Sequence, residues 1–298
     1  MHKSGFVNII GQPNVGKSTL MNALVGEKMS IITPKPQTTR HRIVGILSAD
    51  DYQVVFSDTP GMINDASYKM QHAMNRFAYS TFEDADVMLF VTEIKDKYKE
   101  TDSIIEKLNK SESPLFLIIN KADVGSADEL AALSEWWSSR VKFDEILQIS
   151  ALKKQKTNIL LEKIIEKLPE GPAYYPKDQL TDKPERFFVS EIIREKILLL
   201  YSQEVPYSCE VGIDEFKETK TNAGEDLVRI STTIYVARKT QKAILIGKDG
   251  SAIKKLGTLA RKDLETWLES KVFLEMNVKI KENWRDDERM LKYFGYDK

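Results

Sequence analysis

The chain has little cysteine, little net charge and no long apolar run. Its one cysteine, Cys209, excludes an internal disulfide and is typical of a reducing compartment. No apolar run approaches the roughly 20 residues that a transmembrane helix needs. The formal net charge is −1, so any binding of nucleic acid requires a local basic patch.

Met1 to Ser4 lead directly into an apolar run and leave no room for a signal peptide, so a cytoplasmic protein is expected. With 42% apolar and 30% charged residues, the composition is that of a soluble globular protein. The length of 298 residues suffices for about two domains.

The most informative stretch, residues 11–18, reads GQPNVGKS and lies between an apolar run at 5–10 and a helical segment at 19–25. Strand, glycine-rich loop and helix are the context of the pattern G-x-x-x-x-G-K-[ST], whose backbone N–H groups wrap the phosphates of a nucleoside triphosphate. The lysine contacts the β- and γ-phosphates and also acts in catalysis, and the hydroxyl ligates Mg²⁺. The predicted nucleotide contacts here are Gly11, Asn14, Val15, Gly16, Lys17, Ser18 and Thr19.

Two further motifs are expected around the same phosphates. The polar, proline-containing segment at 27–42 predicts a loop, in which Thr39, or alternatively Thr38, would complete the Mg²⁺ coordination. A strand then ends in DTPG at 58–61; Asp58 would support the metal, and the backbone N–H of Gly61 would approach the γ-phosphate. The predicted metal ligands are Ser18, Thr39 and Asp58, and the predicted catalytic residues are Lys17, Thr39 and Gly61.

Met62 occupies the position at which GTPases of the Ras type carry a glutamine that orients the attacking water. A methionine side chain cannot hold water in this way, so another group must position the water or supply charge. The side-chain carbonyl of Asn14 is a candidate ligand for a monovalent cation beside the phosphates. This predicts hydrolysis that K⁺ stimulates.

The apolar run at 114–119 ends in Asn120, Lys121, Ala122 and Asp123. A carboxylate can accept two hydrogen bonds from the N1–H and N2–H₂ edge of guanine, which adenine lacks, so Asp123 favours GTP over ATP. Asn120 would bridge the base and the glycine-rich loop at 11–18, the phosphate loop. The Lys121 stem would cover the base plane. A backbone N–H of the later tripeptide would meet the guanine O6; its residues are Ser150, Ala151 and Leu152.

Strands alternate with helices along this part of the sequence, and the expected helices include those at 67–83, 99–109 and 157–168. This α/β pattern predicts a doubly wound, mostly parallel sheet with ligand loops at the carboxyl ends of the strands. Proline and turn residues concentrate at 169–184. We therefore place a nucleotide domain at 1–169, a linker at 170–185 and a second domain at 186–298.

The second domain is smaller and of the α+β class. It predicts a helix at 187–202, strands at 207–218 and 227–237 around a turn at 222–224, two helices, and a strand at 272–281. The order α-β-β-α-α-β with a G-x-x-G loop between the central helices is typical of a type II K-homology (KH) domain. Within a basic stretch at 239–262, the predicted RNA contacts are Gly247, Lys248, Asp249, Gly250, Lys254 and Lys255.

These motifs, in this order and spacing, resemble the Era family of bacterial GTPases, which carry a C-terminal KH domain; they lie at 11–18, 37–40, 58–61, 120–123, 150–152 and 247–250. The resemblance implies a GTP and GDP switch that hydrolyses GTP and binds the 3′ end of small-subunit (16S) ribosomal RNA. It also implies a role in maturation of the 30S subunit and peripheral association with the inner membrane. An apolar residue at position 62 agrees with the family, and a monomer is expected.

Two other functions compete with this one. A GTP switch whose second domain binds a protein or a membrane would show weak, salt-insensitive RNA binding. An ATP-dependent metabolic kinase would also use a phosphate loop, but Asp123 and the lack of a recognisable acceptor site argue against it. The segment at 283–298 could pack on the second domain or lie over the RNA groove, and the sequence does not decide.

Overall fold

The computed structural model describes residues 1–63, 65–80, 84–221 and 223–296. The chain divides into two compact units, one of Met1–Asp65 and Met74–Asp182 and the other of Ala66–Ala73 and Lys183–Lys298. Within the described ranges, every helix is too short or too polar to cross a lipid bilayer.

A sheet of six described strands forms the centre of the first unit. The strands are β1 (Lys3–Gly11), β2 (Ile43–Ser48), β3 (Tyr52–Asp58), β4 (Val87–Thr92), β5 (Leu115–Ile119) and β6 (Glu145–Gln148). Their order is β2-β3-β1-β4-β5-β6, with β2 antiparallel to β3 and the other neighbours parallel. All residues of β4 and β5 are buried, as expected of parallel strands that helices cover on both faces. The predicted doubly wound, mostly parallel sheet is confirmed.

The helices of this part of the chain are α1 (Lys17–Val25), α2 (Lys69–Ser80), α3 (Ser103–Asn109), α4 (Ala127–Ser138) and α5 (Thr157–Lys167). α3 begins four residues later than expected, because the Asp102 carboxylate accepts a hydrogen bond from the backbone N–H of Lys99 and closes a turn there. α4 begins with a reciprocal capping box between Ser126 and Glu129. The helix expected at 67–83 is α2, and residues 81–83 lie outside the described residues.

The segment after α5 packs against the first unit. The backbone N–H of Ser4 donates to the Pro169 carbonyl, and that of Ile46 donates to the Leu180 carbonyl. The Gln53 side-chain oxygen accepts hydrogen bonds from the backbone N–H groups of Tyr174 and Tyr175. Most of the segment that we expected to link two domains therefore lies within the first unit.

The second unit has the predicted element order α-β-β-α-α-β. Its elements are α6 (Glu185–Leu200), β7 (Cys209–Lys220), β8 (Asp226–Val236), α7 (Lys239–Ile246), α8 (Ser251–Leu268) and β9 (Lys271–Ile280). β7 and β8 pair antiparallel, and β8 and β9 pair parallel. The buried core includes Ile193, Ile197, Ile234, Leu256 and Leu264. Of the turn expected at 222–224, Asn222 lies outside the described residues.

The C-terminal segment, residues 283–296, packs on the second unit. Trp284 is fully buried, and its Nε1–H donates to the Ser208 carbonyl at 3.1 Å. The Tyr296 hydroxyl donates to the Glu210 carboxylate at 2.6 Å, beyond the short helix α9 (Glu288–Tyr293). The sequence left open whether this segment packs on the second domain or lies over the RNA groove. The structure shows it packed on the second unit.

Candidate functional site

The loop between β1 and α1 has a backbone that only glycine allows at two positions. Gly16 lies in the left-handed region, at φ 96° and ψ 28°. A Cβ added there would lie 2.3 Å from the Asn120 amide nitrogen, and a Cβ on Gly11 would lie 2.2 Å from the Val91 carbonyl oxygen. These glycines therefore let the loop close against the ends of β4 and β5.

Lys17 is buried inside this loop. Its ammonium donates to the carbonyl oxygens of Gly11 at 3.0 Å and Gln12 at 2.8 Å. Burial lowers the pKa of Lys17 to about 8, and the nearby charge of Asp58 opposes this shift. The lysine thus lies on the inside of the loop, where the pattern places the β- and γ-phosphates.

The predicted metal ligands meet at Asp58. Its Oδ2 accepts hydrogen bonds from the hydroxyls of Ser18 at 2.6 Å, Ser30 at 2.9 Å and Thr39 at 3.4 Å. The Ser18 and Thr39 hydroxyl oxygens are themselves 2.9 Å apart. Thr38, the alternative, instead donates to the Lys35 carbonyl at 2.7 Å, so Thr39 is the threonine at this cluster.

Asp58 has the surroundings of a carboxylate that holds a cation. Burial raises its pKa, whereas hydrogen bonds from Ser18 and the charge of Lys17 lower it. Its Oδ1 is buried and has no hydrogen-bond partner among the described atoms. A buried carboxylate oxygen without a partner, beside two hydroxyls, fits a hard divalent cation such as Mg²⁺.

Ser30 belongs to this cluster, although sequence reasoning missed it. Asn22 of α1 accepts hydrogen bonds from the backbone N–H groups of Met29 and Ser30 and donates to the Ser30 carbonyl. This clamp holds the start of the loop at 27–42 and places the Ser30 hydroxyl on Asp58. A serine at the start of a polar loop gives no sequence signal of such a role.

Gly61 lies against the phosphate loop. A Cβ on Gly61 would lie 2.8 Å from the Pro13 backbone nitrogen, so a larger residue would push the two segments apart. The neighbouring Met62 packs against the apolar cluster that includes Ile10 and Phe90. Met62 therefore has a packing role in the place where a Ras-type enzyme has its glutamine.

A cavity of about 320 Å³ lies between the phosphate loop and the segment at 31–39. Asn14, Lys17, Ser18, Thr39 and Gly61 are among the residues that line it. Most of the residues predicted to contact phosphates and metal thus line one cavity, although Gly11, Val15 and Asp58 are not among the lining residues.

The residues predicted to recognise the base lie together beside the phosphate loop. Asn120 donates to the Val15 carbonyl at 2.8 Å and accepts from the Ala151 backbone N–H at 3.0 Å, so it joins the phosphate loop to the tripeptide at 150–152. Asp123 forms an ion pair with Lys153 at 3.1 Å. Hydrogen bonds from Ser150 and Lys153 hold the pKa of Asp123 below its usual value, so it stays a carboxylate acceptor.

In the second unit, the G-x-x-G loop joins α7 to α8. Positive φ angles occur at Gly247 (72°), Asp249 (52°) and Gly250 (75°), which bends the backbone sharply. Lys248, in the loop, and Lys254 and Lys255, in the first turns of α8, are exposed. Ile244, at the end of α7, is 48% exposed and offers an apolar surface beside the loop. Cationic and apolar groups therefore adjoin a backbone that a polyanion can approach closely.

Comparisons with known proteins agree with both halves of this description. A family model described as 50S ribosome-binding GTPase matches residues 6–121, and one described as KH domain matches residues 204–285. The GTPase Era of Syntrophus aciditrophicus is 47% identical over 100% of this chain and 96% of its own length.

Two solved structures share the whole architecture. A variant of Era from Aquifex aeolicus, bound to GDP and AlF₄⁻, has a TM-score of 0.92 at 38% identity, covering 99% of this chain and 100% of that one. Era in complex with MgGDPNP and nucleotides 1506–1542 of 16S ribosomal RNA has a TM-score of 0.93 at 37% identity, covering 100% of both chains. The chain therefore belongs to the Era family, and it is a GTPase with a C-terminal KH domain.

Proposed function

We propose that this GTPase binds the 3′ end of 16S ribosomal RNA under the control of GTP and assists maturation of the 30S subunit. The observation that carries the proposal is one chain holding both the cluster at Asp58 and the exposed cationic loop at 247–250. The complex of Era with MgGDPNP and nucleotides 1506–1542 of 16S ribosomal RNA supports the choice of RNA.

Hydrolysis in this proposal rests on positioning and charge. Ser18, Thr39 and Asp58 would hold Mg²⁺, which would neutralise negative charge on the phosphates when bound. The Lys17 ammonium stabilises the charge that develops between these phosphates. Thr39 and Ser30 both lie in the loop at 27–42, and both hydroxyls bond to Asp58. Contact between Thr39 and the metal beside the γ-phosphate would therefore order this loop in the GTP state.

We also propose that K⁺ assists hydrolysis. Asn14 lies in the left-handed region at φ 67°, and its Nδ2 donates to the Pro34 carbonyl at 3.3 Å. Its side-chain oxygen is then the atom that would ligate K⁺ next to the phosphates. A cation there acts as an arginine finger does in other GTPases, which addresses the missing glutamine at position 62.

The proposed RNA interface has a direct test. Fluorescence anisotropy measures binding of a single-stranded RNA that copies the 16S 3′ end, with a GTP analogue present and at several salt concentrations. We expect log Kd to rise steeply with log salt, and Lys248→Glu to weaken binding about tenfold. The matched control is Lys97→Glu, since Lys97 is also exposed but lies in the first unit.

The competing function predicts a different result. Weak RNA binding that neither salt nor Lys248→Glu changes would mean that the second unit binds a protein or a membrane.

We further propose that the protein acts in the cytoplasm as a monomer and associates peripherally with the inner membrane. Sedimentation with anionic lipid vesicles tests the membrane part, and analytical ultracentrifugation tests the oligomeric state.

A further inference from the structure

Glu93 follows the last residue of β4 and lies outside every nucleotide-binding motif. Its carboxylate forms an ion pair with the Lys121 ammonium at 2.7 Å. The same ammonium donates to the Asn14 carbonyl of the phosphate loop at 2.8 Å. We infer that Glu93 is a positioning residue for the guanine nucleotide: it holds Lys121 in the orientation that covers the base and slows nucleotide release.

The position of Glu93 is itself fixed by its neighbours. The Asp96 Oδ2 accepts hydrogen bonds from the Glu93 backbone N–H at 3.3 Å and from the Thr92 hydroxyl at 3.1 Å. The backbone N–H of Asn120 donates to the Thr92 carbonyl at 2.8 Å, which ties the ends of β4 and β5 together. The two partners of the ion pair are therefore carried by backbone segments that are bonded to each other.

The pair is more shielded than an ordinary surface ion pair. The side chain of Glu93 is 12% exposed and that of Lys121 is 37% exposed, so water screens their attraction only partly. Lys121 also has a left-handed backbone, at φ 58° and ψ 32°, which sets the direction in which its side chain leaves the loop. With its ammonium held at one end and its backbone at the other, the stem has few orientations left.

This arrangement gives Glu93 an effect on nucleotide binding without direct contact. If the Glu93 carboxylate is removed, the Lys121 ammonium retains its hydrogen bond to the Asn14 carbonyl but loses its ion pair. The Lys121 side chain then samples more rotamers. The base is then covered for a smaller fraction of the time, so the nucleotide dissociates faster. The effect of Glu93 must therefore depend on the presence of the Lys121 ammonium.

A double-mutant cycle on nucleotide release tests this dependence. The measurement is the dissociation rate of a fluorescent GDP, displaced by excess GDP in a stopped-flow instrument. We expect Glu93→Gln to raise this rate about five- to tenfold. In the background of Lys121→Met, which keeps an unbranched stem but no charge, the same substitution should change the rate less than about twofold. Glu100→Gln is the matched control, since Glu100 pairs with Arg140 at the surface and should leave release unchanged.

Two results would overturn the inference. One is an unchanged release rate in Glu93→Gln. The other is an equal acceleration with and without the Lys121 ammonium, because Glu93 would then only support the fold of its loop. If Glu93→Gln fails to fold, Glu93→Asp replaces it in the same cycle, since its shorter side chain keeps the charge but weakens the contact.

Discussion

The Ser18 hydroxyl donates a 2.6 Å hydrogen bond to Asp58 Oδ2, although 40 residues separate them in the sequence. The loop at 27–42 lies between these two residues in the chain and returns to the same carboxylate through Ser30 and Thr39. The phosphate loop, the strand end and the intervening loop thus converge on one buried carboxylate. Any ligand that binds to Asp58 and Ser18 therefore also changes the contacts of the loop that carries Thr39.

This convergence distinguishes the two adjacent threonines. We expect Thr39→Ala to lower GTP turnover at least about tenfold, because it removes a hydroxyl from the Asp58 cluster. Thr38→Ala should cost less than about threefold, because Thr38 bonds to the Lys35 carbonyl instead. Phosphate release at saturating GTP and Mg²⁺ measures both; equal losses, or a larger loss for Thr38, would contradict the assignment.

The K⁺ hypothesis predicts a dependence on the cation in the buffer. At equal ionic strength, turnover in K⁺ should exceed turnover in Na⁺ by at least about tenfold, since a bound cation replaces an arginine finger. Asn14→Ala should remove most of the difference, because it deletes the proposed ligand. Equal turnover of the native protein in the two buffers would rule the hypothesis out.

The pKa of Lys17 predicts how GDP affinity varies with pH. Between about pH 7, above which the GDP phosphates are ionised, and about pH 8, the buried lysine is already protonated, so the affinity should be constant in that interval. Above it the free lysine is neutral and must take up a proton to pair with phosphate, so the affinity should fall by up to about tenfold per pH unit.

Calorimetry with Mg²⁺ chelated measures this affinity together with the proton uptake. The control is Lys17→Arg, whose guanidinium stays protonated throughout and which also corrects for ionisation of guanine. We expect this variant to bind GDP more weakly, with an affinity that varies less with pH. The same fall in affinity for the native protein and the variant would show that Lys17 is not its source.

The C-terminal segment should contribute to the stability of the second unit. Tyr296→Phe removes the hydrogen bond to the buried Glu210 carboxylate and should cost about 1–3 kcal/mol of unfolding free energy. Tyr293→Phe, at a residue that is 56% exposed, should cost less than about 0.5 kcal/mol. Urea denaturation followed by tryptophan fluorescence compares the two, and equal small costs would mean that the segment adds no stability through Tyr296.

Much of the fold and the site could be predicted from sequence, because the loops that are predicted to contact phosphate are set by local sequence pattern. Gly11 and Gly16 have the spacing of a local motif, and the run ending in Asp58 is a buried strand with a polar end. The order of helices and strands in the second unit followed from periodicity alone. Such features depend on neighbours in sequence, which is why a single chain reveals them.

The features that the sequence did not reveal depend on contacts between distant residues. Ser30 reaches Asp58 only because Asn22 clamps the start of its loop. Glu93 pairs with Lys121 because β4 and β5 end side by side. Trp284 is buried through its contact with Ser208, 76 residues away, which no local pattern specifies.

If the nucleotide state controls RNA binding, the affinity for RNA must differ between the protein bound to a GTP analogue and the protein bound to GDP. The test compares the native protein, Gly250→Asp and Gly250→Asn. Position 250 has φ 75° and nothing within 4 Å of an added Cβ, so Asp and Asn, which tolerate left-handed backbone, can both be accommodated.

The two variants then differ in charge alone. We predict that the native protein binds the 16S 3′ end at least about tenfold more tightly with the analogue than with GDP, a coupling within the usual allosteric range. Gly250→Asp should lose at least about tenfold in affinity through repulsion of phosphate, and Gly250→Asn should lose much less. Equal affinity of the native protein in the two nucleotide states would mean that the nucleotide does not control RNA binding.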